Sequence, residues 1–212
     1  TGKVALQAFL QCRALSRVIG VELSRPRYAL AVAALQRLAK ARPAEFQVEA
    51  EEAGSEEATC RCRLSTMGGG LEAPPRVLEL RLGDFLLEEV VSDDEYRDAH
   101  AILLQLCLPQ DAFPRVQRRI SLALDGCRLF ALSDLRVKWR LAQPSPFRPW
   151  RRGDGPNPED EEQCEDKYAT TWAATYGMTF YTFRADRQRG ACTAGRGAGV
   201  SGEREEQRDG RQ

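Results

Sequence analysis

The chain has 212 residues, with 31 basic and 31 acidic side chains, seven cysteines and one histidine. Its length is that of one domain with a tail, and an apolar fraction of 42% fills one core and excludes a wholly disordered or collagen-like chain. No apolar run approaches the roughly 20 residues that cross a bilayer, which predicts no membrane span. The formal net charge of zero gives no general attraction to nucleic acid, so we expect no direct nucleic-acid binding.

Cysteine and histidine usage removes several chemistries. The number of cysteines is odd and no pair has CxxC spacing, which indicates reduced thiols in an intracellular protein. Cys60 and Cys62 have no second ligand pair near them in the sequence, so we expect a reduced loop and no metal site. His100 precedes an apolar run without an evident nucleophile, and we expect it at the entry to a strand rather than in a triad.

The first third of the chain alternates helix and strand. Residues 3–15 place apolar side chains on one face without Gly or Pro, which predicts a helix. Residues 17–23 are apolar and rich in β-branched side chains, which predicts a buried strand. Ser24 can cap a second helix, which we expect to run to about Ala41 and to end before Pro43.

The middle of the chain continues the alternation after an interruption. Residues 44–75 contain acidic, glycine-rich and proline-rich stretches, and we interpret them as an inserted loop, within which Phe46 is able to start a strand. A strand is predicted over 77–82, followed by a short helix through Glu88 and Glu89.

Three further elements are predicted in the middle of the chain. They are a buried strand over 101–106, a helix over 111–124 and a strand over 127–132. Strands that alternate with helices predict an α/β fold of the Rossmann type, with a mostly parallel sheet and helices on both faces.

The last third has a different composition. Residues 135–141 and 168–183 can form an antiparallel pair at the sheet edge, and the proline-rich and acidic stretch 144–166 predicts a loop. Residues 186–212 have almost no apolar side chains, and we expect a disordered tail after a domain over 1–185.

Two polar points fall where open α/β sheets bind ligands, at the carboxyl ends of strands. Thr1, Gly2 and Lys3 open the first helix, and a glycine there lets an anionic ligand approach the free N–H groups of the helix. Glu22 ends the first strand, where a carboxylate can accept hydrogen bonds from both hydroxyls of a ribose. Glutamate is common and one glycine is not a glycine-rich loop, so this pair alone is weak evidence.

Asp84 and Phe85 form a third point, after the strand over 77–82. Asp84 can accept from an adenine amino group and Phe85 can stack on the ring. Alternatively, Asp84 merely caps the following helix and Phe85 packs inward. All three points together, in register with the strands, favour an adenosine-type ligand.

These residues carry a resemblance to a known family. Residues 1–11 and 17–28 are similar to the start of an S-adenosylmethionine-dependent methyltransferase domain. They most resemble the disruptor-of-telomeric-silencing family, the histone lysine methyltransferases that lack a SET domain. That family has glycines before its first helix, Val-Glu after its second strand and Gly-Asp-Phe after its third, and these match Gly2, Val21-Glu22 and Gly83-Asp84-Phe85 here.

The resemblance implies a class I methyltransferase that binds S-adenosylmethionine and methylates a protein lysine by direct transfer, with histone or nucleosome as the partner and the nucleus as the location. The implied cofactor-binding residues are Thr1, Gly2, Lys3, Glu22, Asp84 and Phe85. Trp172 and Tyr176 lie in a stretch similar to the family's Trp-Gly and Tyr-rich end and would wall the substrate channel. Ordinary packing at the sheet edge explains these two aromatic residues equally well.

Two departures from the family pattern leave alternatives open. The chain begins at Thr1, so we expect a fragment without the family's first strand and earlier glycines. Residues 104–109 contain no counterpart of the family's asparagine, which fits a non-catalytic, degenerate methyltransferase-like binding module instead. A nicotinamide dehydrogenase would use Gly2 and Glu22 equally well, but would give no special use to Gly83-Asp84-Phe85.

Overall fold

The computed structural model describes residues 2–51, 60–67, 75–105, 109–150, 165–170 and 173–186. The helices are α1 Lys3–Gln11, α2 Arg25–Ala41, α3 Asp93–Arg97, α4 Phe113–Ile120 and α5 Leu135–Lys138, with a 3₁₀ turn at Gln110–Ala112. The strands are β1 Arg17–Glu22, β2 Phe46–Glu51, β3 Arg61–Thr66, β4 Val77–Leu82, β5 Ala101–Leu104, β6 Arg128–Ala131, β7 Phe147–Pro149, β8 Glu165–Thr170 and β9 Ala173–Ala185.

The chain divides into two compact units, one ending at Tyr96 and the other beginning at Arg97. Each unit has its own sheet, and each sheet contains both parallel and antiparallel strand pairs. The expected α/β class is therefore confirmed in its coarse form, as a mixed α/β protein.

The first unit contains a four-stranded sheet in the order β1-β4-β3-β2, which we call sheet A. Strands β1 and β4 are parallel, and their register pairs Arg17 with Val77 and Glu22 with Leu82. The pairs β3/β4 and β2/β3 are antiparallel. Sheet A thus brings together the carboxyl ends of the two strands that precede Gly83 and Leu23.

The interpretation of 44–75 as an inserted loop is wrong where β2 and β3 form. These strands are a hairpin of sheet A, and Cys62, which we expected in a loop, is buried in β3. The physical reason is the period of two in Phe46, Val48, Cys62 and Leu64, which puts apolar side chains on one face of the hairpin. The acidic residues between the strands concealed that alternation.

The core of the first unit lies between sheet A and the helices α1 and α2. Leu64 and Leu78 face the helices with no exposed surface, and Phe9 of α1 is equally buried. Helix α1 approaches β1 closely at Gly20, where an added Cβ would lie 3.0 Å from the Cβ of Ala5. A side chain at Gly20 would therefore push the helix away from the sheet.

Arg76 ties the end of α1 to the start of β4. Its guanidinium donates hydrogen bonds to the main-chain oxygens of Phe9, Cys12 (3.0 Å) and Leu15 (2.8 Å). It also lies over the Phe9 ring, 4.6 Å from the ring centroid. The carbonyl groups that a helix leaves unsatisfied at its end thus find a partner more than sixty residues later in the chain. The predicted helix over 3–15 accordingly ends early, at Gln11.

The second unit contains a sheet in the order β5-β6-β9-β7, with β8 also paired to β9, which we call sheet B. Strands β5 and β6 are parallel and are joined through α4, as the alternation of helix and strand predicts. Strand β9 is antiparallel to β6, β7 and β8. The strand predicted over 168–183 is therefore confirmed only in its larger part, as β9, because residues 168–170 belong to β8; β9 also lies between neighbours rather than at the edge.

Three other predictions about the second half are corrected. The segment predicted as a strand over 135–141 contains helix α5, because the Asp134 carboxylate accepts a hydrogen bond from the Arg136 amide at the start of the helix. Strand β5 is not buried throughout, since Ala101 and Leu103 are exposed. The predicted loop over 144–166 contains the short strand β7. The predicted tail lies outside the described residues from position 187 onward.

Candidate functional site

The carboxyl edge of sheet A brings together two of the three sequence-predicted points. The main-chain N–H of Gly83 donates a 3.1 Å hydrogen bond to the main-chain oxygen of Glu22. Glu22 closes β1 and Gly83 follows β4, so this bond continues the parallel ladder by one step. Glu22 and the Gly83-Asp84-Phe85 motif are therefore neighbours, as their positions after parallel strands predict.

The Glu22 carboxylate is held by the turn that leads into α2. Its Oε1 accepts a 3.0 Å hydrogen bond from the Ser24 amide. Burial acts to raise the pKa of Glu22, whereas hydrogen bonds, among them the one from Ser24, and nearby positive charge lower the pKa below its ordinary value. Glu22 is consequently an ionised, half-buried acceptor at the edge of the sheet.

Asp84 and Phe85 begin a turn rather than the short helix predicted through Glu88 and Glu89. The Asp84 carboxylate accepts from the Leu86 amide at 2.9 Å, and its main-chain oxygen accepts from Leu87 at 3.0 Å. The expected capping role of Asp84 is thus present, but it stabilises a turn. The chain continues in turns from here until α3 begins at Asp93, and the predicted short helix is absent from this segment.

Tyr96 fixes the main chain at Phe85 from the far end of the same segment. Its hydroxyl donates a 3.1 Å hydrogen bond to the Phe85 oxygen, and its ring is buried. Phe85 itself is half-buried, which agrees both with stacking on a ligand and with inward packing, so both interpretations stay predictions. Tyr96 is a site residue that the sequence analysis missed, because nothing in its local sequence points to a partner eleven positions earlier.

Gly83 is required where β4 leaves the sheet. Its φ is +152°, and an added Cβ would lie 2.7 Å from Cγ2 of Val90. Both the backbone conformation and the close approach of Val90 therefore exclude a side chain. The motif residue that positions Asp84 is thus explained by local packing.

Gly2 lies against the core in the part of the chain that the structure describes. It precedes α1 with φ +69°, and an added Cβ would lie 2.9 Å from the Cβ of Ala31 and 3.4 Å from Cδ1 of Leu80. Gly2 and Lys3 also line a cavity of about 150 Å³ whose other walls are apolar side chains of α1, α2 and β4. The absence of a side chain at Gly2 is accordingly explained by close packing, and its role toward a ligand stays a prediction.

The other predicted site residues are outside these contacts. Thr1 and Trp172 lie outside the described residues. Tyr176 lies in β9 of the second unit, and only its backbone is described. The predicted substrate channel therefore stays a prediction.

A buried ion-pair cluster anchors the segment that carries Asp84 and Phe85. Arg81 of β4 is 2% exposed and donates at 2.8 Å to Glu79, which is equally buried. Its two terminal nitrogens donate at 2.7 Å each to the two carboxylate oxygens of Glu95. It also donates to the main-chain oxygen of Val90. The alternation of Leu and charged residues in β4 is the sequence signal for this cluster.

Neither a cluster of metal ligands nor a helix suited to a bilayer is found among the described residues. No group of three or more potential metal ligands occurs among them, and Cys60 and Cys62 are free thiols. No helix in the described ranges combines the length and the apolar character that a bilayer crossing requires. His100 precedes β5, as expected, and its main-chain oxygen accepts from the Arg128 amide at 3.0 Å.

Comparison with known proteins adds no homologue to these observations. No family model matches the chain, and no curated protein matches it. The functional interpretation therefore depends on the chemistry of the carboxyl edge of sheet A, where an ionised carboxylate, a second carboxylate and an aromatic side chain follow two neighbouring parallel strands.

Proposed function

We propose that the carboxyl edge of sheet A binds the adenosyl part of S-adenosylmethionine and that the protein is a methyltransferase. The observation that supports this proposal most strongly is the hydrogen bond from Gly83 to Glu22, which makes the two predicted motifs neighbours. In open α/β sheets, ligands bind outside the carboxyl ends of the strands.

Each residue at this edge has chemistry that suits an adenosine. The Glu22 carboxylate is ionised and accepts hydrogen bonds, which the two ribose hydroxyls can donate. A carboxylate has about four lone-pair positions, so the Ser24 hydrogen bond is compatible with further donors. The Asp84 carboxylate can accept from the adenine amino group, and the half-buried Phe85 can stack against the ring.

The proposed reaction is methyl transfer to a lysine of a protein, with a histone-type substrate in the nucleus. When bound, the cofactor supplies an electrophilic methyl group for attack by a neutral amine. The residues of this chain would bind and orient the adenosine, and alignment of the reacting atoms supplies much of the rate in such a transfer. The choice of lysine depends on the resemblance of the sequence, including Trp172 and Tyr176, and on no contact at the sheet edge.

Calorimetric titration of the 212-residue chain with S-adenosylhomocysteine, S-adenosylmethionine and NAD tests the proposal. We expect binding of the two sulfur compounds, no binding of NAD, and at least a tenfold weaker affinity in Glu22→Gln, since hydrogen bonds to a charged group contribute about 1.5–3 kcal/mol. The matched control is Glu45→Gln, because Glu45 is an exposed carboxylate whose ion pair with Arg42 lies on the surface.

A non-catalytic binding module is the second candidate, and it also has a specific observation in its favour. Asp84 and Gly2 both have structural roles in this fold, one in a turn and the other in packing, so their presence does not require a ligand. A folded protein that binds none of the three compounds would favour this candidate. Binding of NAD alone would favour the dehydrogenase alternative.

A further inference from the structure

The face of sheet A that points away from α1 and α2 carries a second cleft. It has a volume of about 220 Å³ and is lined by charged side chains and one hydroxyl: Arg17, Arg61, Arg63, Glu79, Arg81, Glu88, Glu89, Ser92 and Glu95. Four of these residues are arginines, and they come from three adjacent strands. The carboxyl-edge residues Glu22, Asp84 and Phe85 do not line it, so the cleft is separate from the proposed cofactor site.

The four guanidinium groups converge on one buried carboxylate. Glu79 is 2% exposed, and its oxygens lie 2.8 Å from Arg81 and 3.1 Å from Arg17. Arg61 and Arg63 are farther away, at 3.8 and 3.9 Å. Glu79 therefore has two close partners, and the other two guanidinium groups are held near an acceptor that is already used.

Glu95 is the second carboxylate in contact with this cluster, and it binds the same two arginines. It accepts from Arg81 and also from Arg17, at 2.6 Å. Two carboxylates thus contact four guanidinium groups, and Glu88 and Glu89 bring the charged lining of the cleft to four positive and four negative groups. Arg61 and Arg63 are the two guanidinium groups with only long contacts to a carboxylate.

Arg61 and Arg63 are placed to bind something else. Their side chains are 40% and 53% exposed. Arg61 donates to the main-chain oxygen of Glu89 at 3.2 Å, and Arg63 makes no hydrogen bond with any described residue. Being two positions apart in β3, they point to the same face, about 7 Å apart along the strand. The Ser92 hydroxyl accepts from the Glu95 amide, so its proton remains available to a ligand.

We propose that Arg61, Arg63 and Ser92 form a binding site for a phosphate monoester. Both guanidinium groups are partly exposed and only loosely paired with Glu79, and planar guanidinium groups bind phosphate oxygens in a bidentate manner. The shared chemistry is the terminal phosphate group, whether it belongs to free phosphate or to a phosphorylated amino acid. Glu88 and Glu89, which also line the cleft, oppose such a ligand, but both are exposed on a turn and can extend into solvent.

Calorimetry of the full 212-residue chain with inorganic phosphate and with O-phosphoserine, at constant ionic strength, tests the proposal. We expect Arg63→Gln and Arg61→Gln each to weaken binding about tenfold, as the loss of a hydrogen bond to a charged group does. Arg37→Gln is the matched control, because Arg37 is an exposed arginine of α2. Thermal unfolding of each variant checks that it folds, which we expect because Arg61 and Arg63 are half-exposed.

The double variant Glu88→Gln, Glu89→Gln is expected to change the affinity in the opposite direction from the arginine variants. Removing two carboxylates from the rim tightens the binding of a dianion several-fold if the proposal is right. Weaker binding in this variant would overturn the proposal in favour of a zwitterionic or cationic ligand. Equal losses in Arg37→Gln and Arg63→Gln, or no binding of either compound by the folded protein, would also overturn it. A preference for O-phosphoserine over phosphate would identify a phosphorylated residue as the ligand's source.

Discussion

The two faces of sheet A are built from alternate residues of the same strands, yet they are stabilised in different ways. One face is apolar and lies under α1 and α2, with the buried residues Cys62, Leu64, Leu78 and Leu80. The other face carries Arg61, Arg63, Glu79 and Arg81. Apolar contacts are many and individually weak, whereas a buried charge depends on one or two partners. A strand can therefore bury residues of both kinds only if each buried charged residue is paired with an oppositely charged partner.

Arg81→Ala is expected to have the largest effect on stability. It leaves Glu79 buried without its closest partner and removes the hydrogen bonds to Glu95 and Val90. Breaking a buried ion pair costs about 3–5 kcal/mol in the free energy of unfolding, which urea denaturation measures. Arg63→Ala is the control on the same face, and we expect about 0–1 kcal/mol there because its ion pair is long and exposed. Equal losses in the two variants would break the distinction between buried and exposed charges.

Leu78→Ala tests the apolar face in the same strand, at the position next to the buried Glu79. Leu78 has no exposed surface, so the substitution removes buried methyl groups and leaves a cavity. We expect a loss of about 2–5 kcal/mol in the free energy of unfolding. Leu87→Ala serves as the control, since Leu87 is 40% exposed and should change stability by less than about 1 kcal/mol. A negligible effect of Leu78→Ala would mean that the helices do not pack on this face.

Gly83→Ala tests the point where the two faces end. The substitution places a Cβ 2.7 Å from Val90 at a φ of +152°, and we expect a loss of about 1–3 kcal/mol. Combining it with Val90→Ala removes the steric conflict but not the backbone strain, so part of the loss should remain relative to Val90→Ala alone. Full recovery in the double variant would assign the whole cost to packing. The affinity for S-adenosylhomocysteine should fall as well, because Gly83 joins Glu22 to Asp84.

Acid titration of stability is expected to show the smallest effect, and it tests the charged face alone. Hydrogen bonds from Arg81 lower the pKa of Glu95 from 4.5 to about 2. Since the folded-state pKa is depressed, the stabilisation is complete above about pH 4.5 and is lost as the pH falls toward 2. The variant Glu95→Gln should therefore show a shallower loss of stability over this range than the unmodified protein. Identical pH profiles would contradict the assignment, and Leu78→Ala should keep the original pH profile.

The sequence correctly predicts those helices and strands whose formation is determined by the side chains within the segment itself. The β-branched run forms strand β1, but its side chains are half-buried rather than buried as predicted. Helix α2 forms with Pro26 in its first turn, although the Ser24 side chain makes no capping hydrogen bond. Strand β2 begins at Phe46, as the alternative within the predicted loop has it, whereas β3 was not predicted because the surrounding composition outweighed the period of two in Cys62 and Leu64. Residues 135–141 form helix α5 in part rather than the predicted strand, because the Asp134 side chain caps the first turn of a helix.

In the candidate site too, some features follow from local sequence patterns and others depend on contacts between distant segments. That Glu22 would neighbour Gly83 followed from the parallel order of their strands, and the structure confirms it. That Tyr96 holds Phe85, or that four arginines share Glu79, depends on which distant segments meet in space, and a single sequence does not contain that information. Gly2 was interpreted for a ligand, whereas its neighbours Ala31 and Leu80 come from elements that fold over it.

Arg76 has a consequence for the order in which the first unit assembles. The Arg76 side chain donates hydrogen bonds to the main-chain oxygens at the end of α1 and just after it. The nearest of these partners along the chain, Leu15, lies 61 positions before Arg76. Closing so long a loop costs conformational entropy that only the contacts of the completed sheet offset. The final turn of α1 is thus expected to become ordered late in the assembly of this unit, after β4 has docked beside β1.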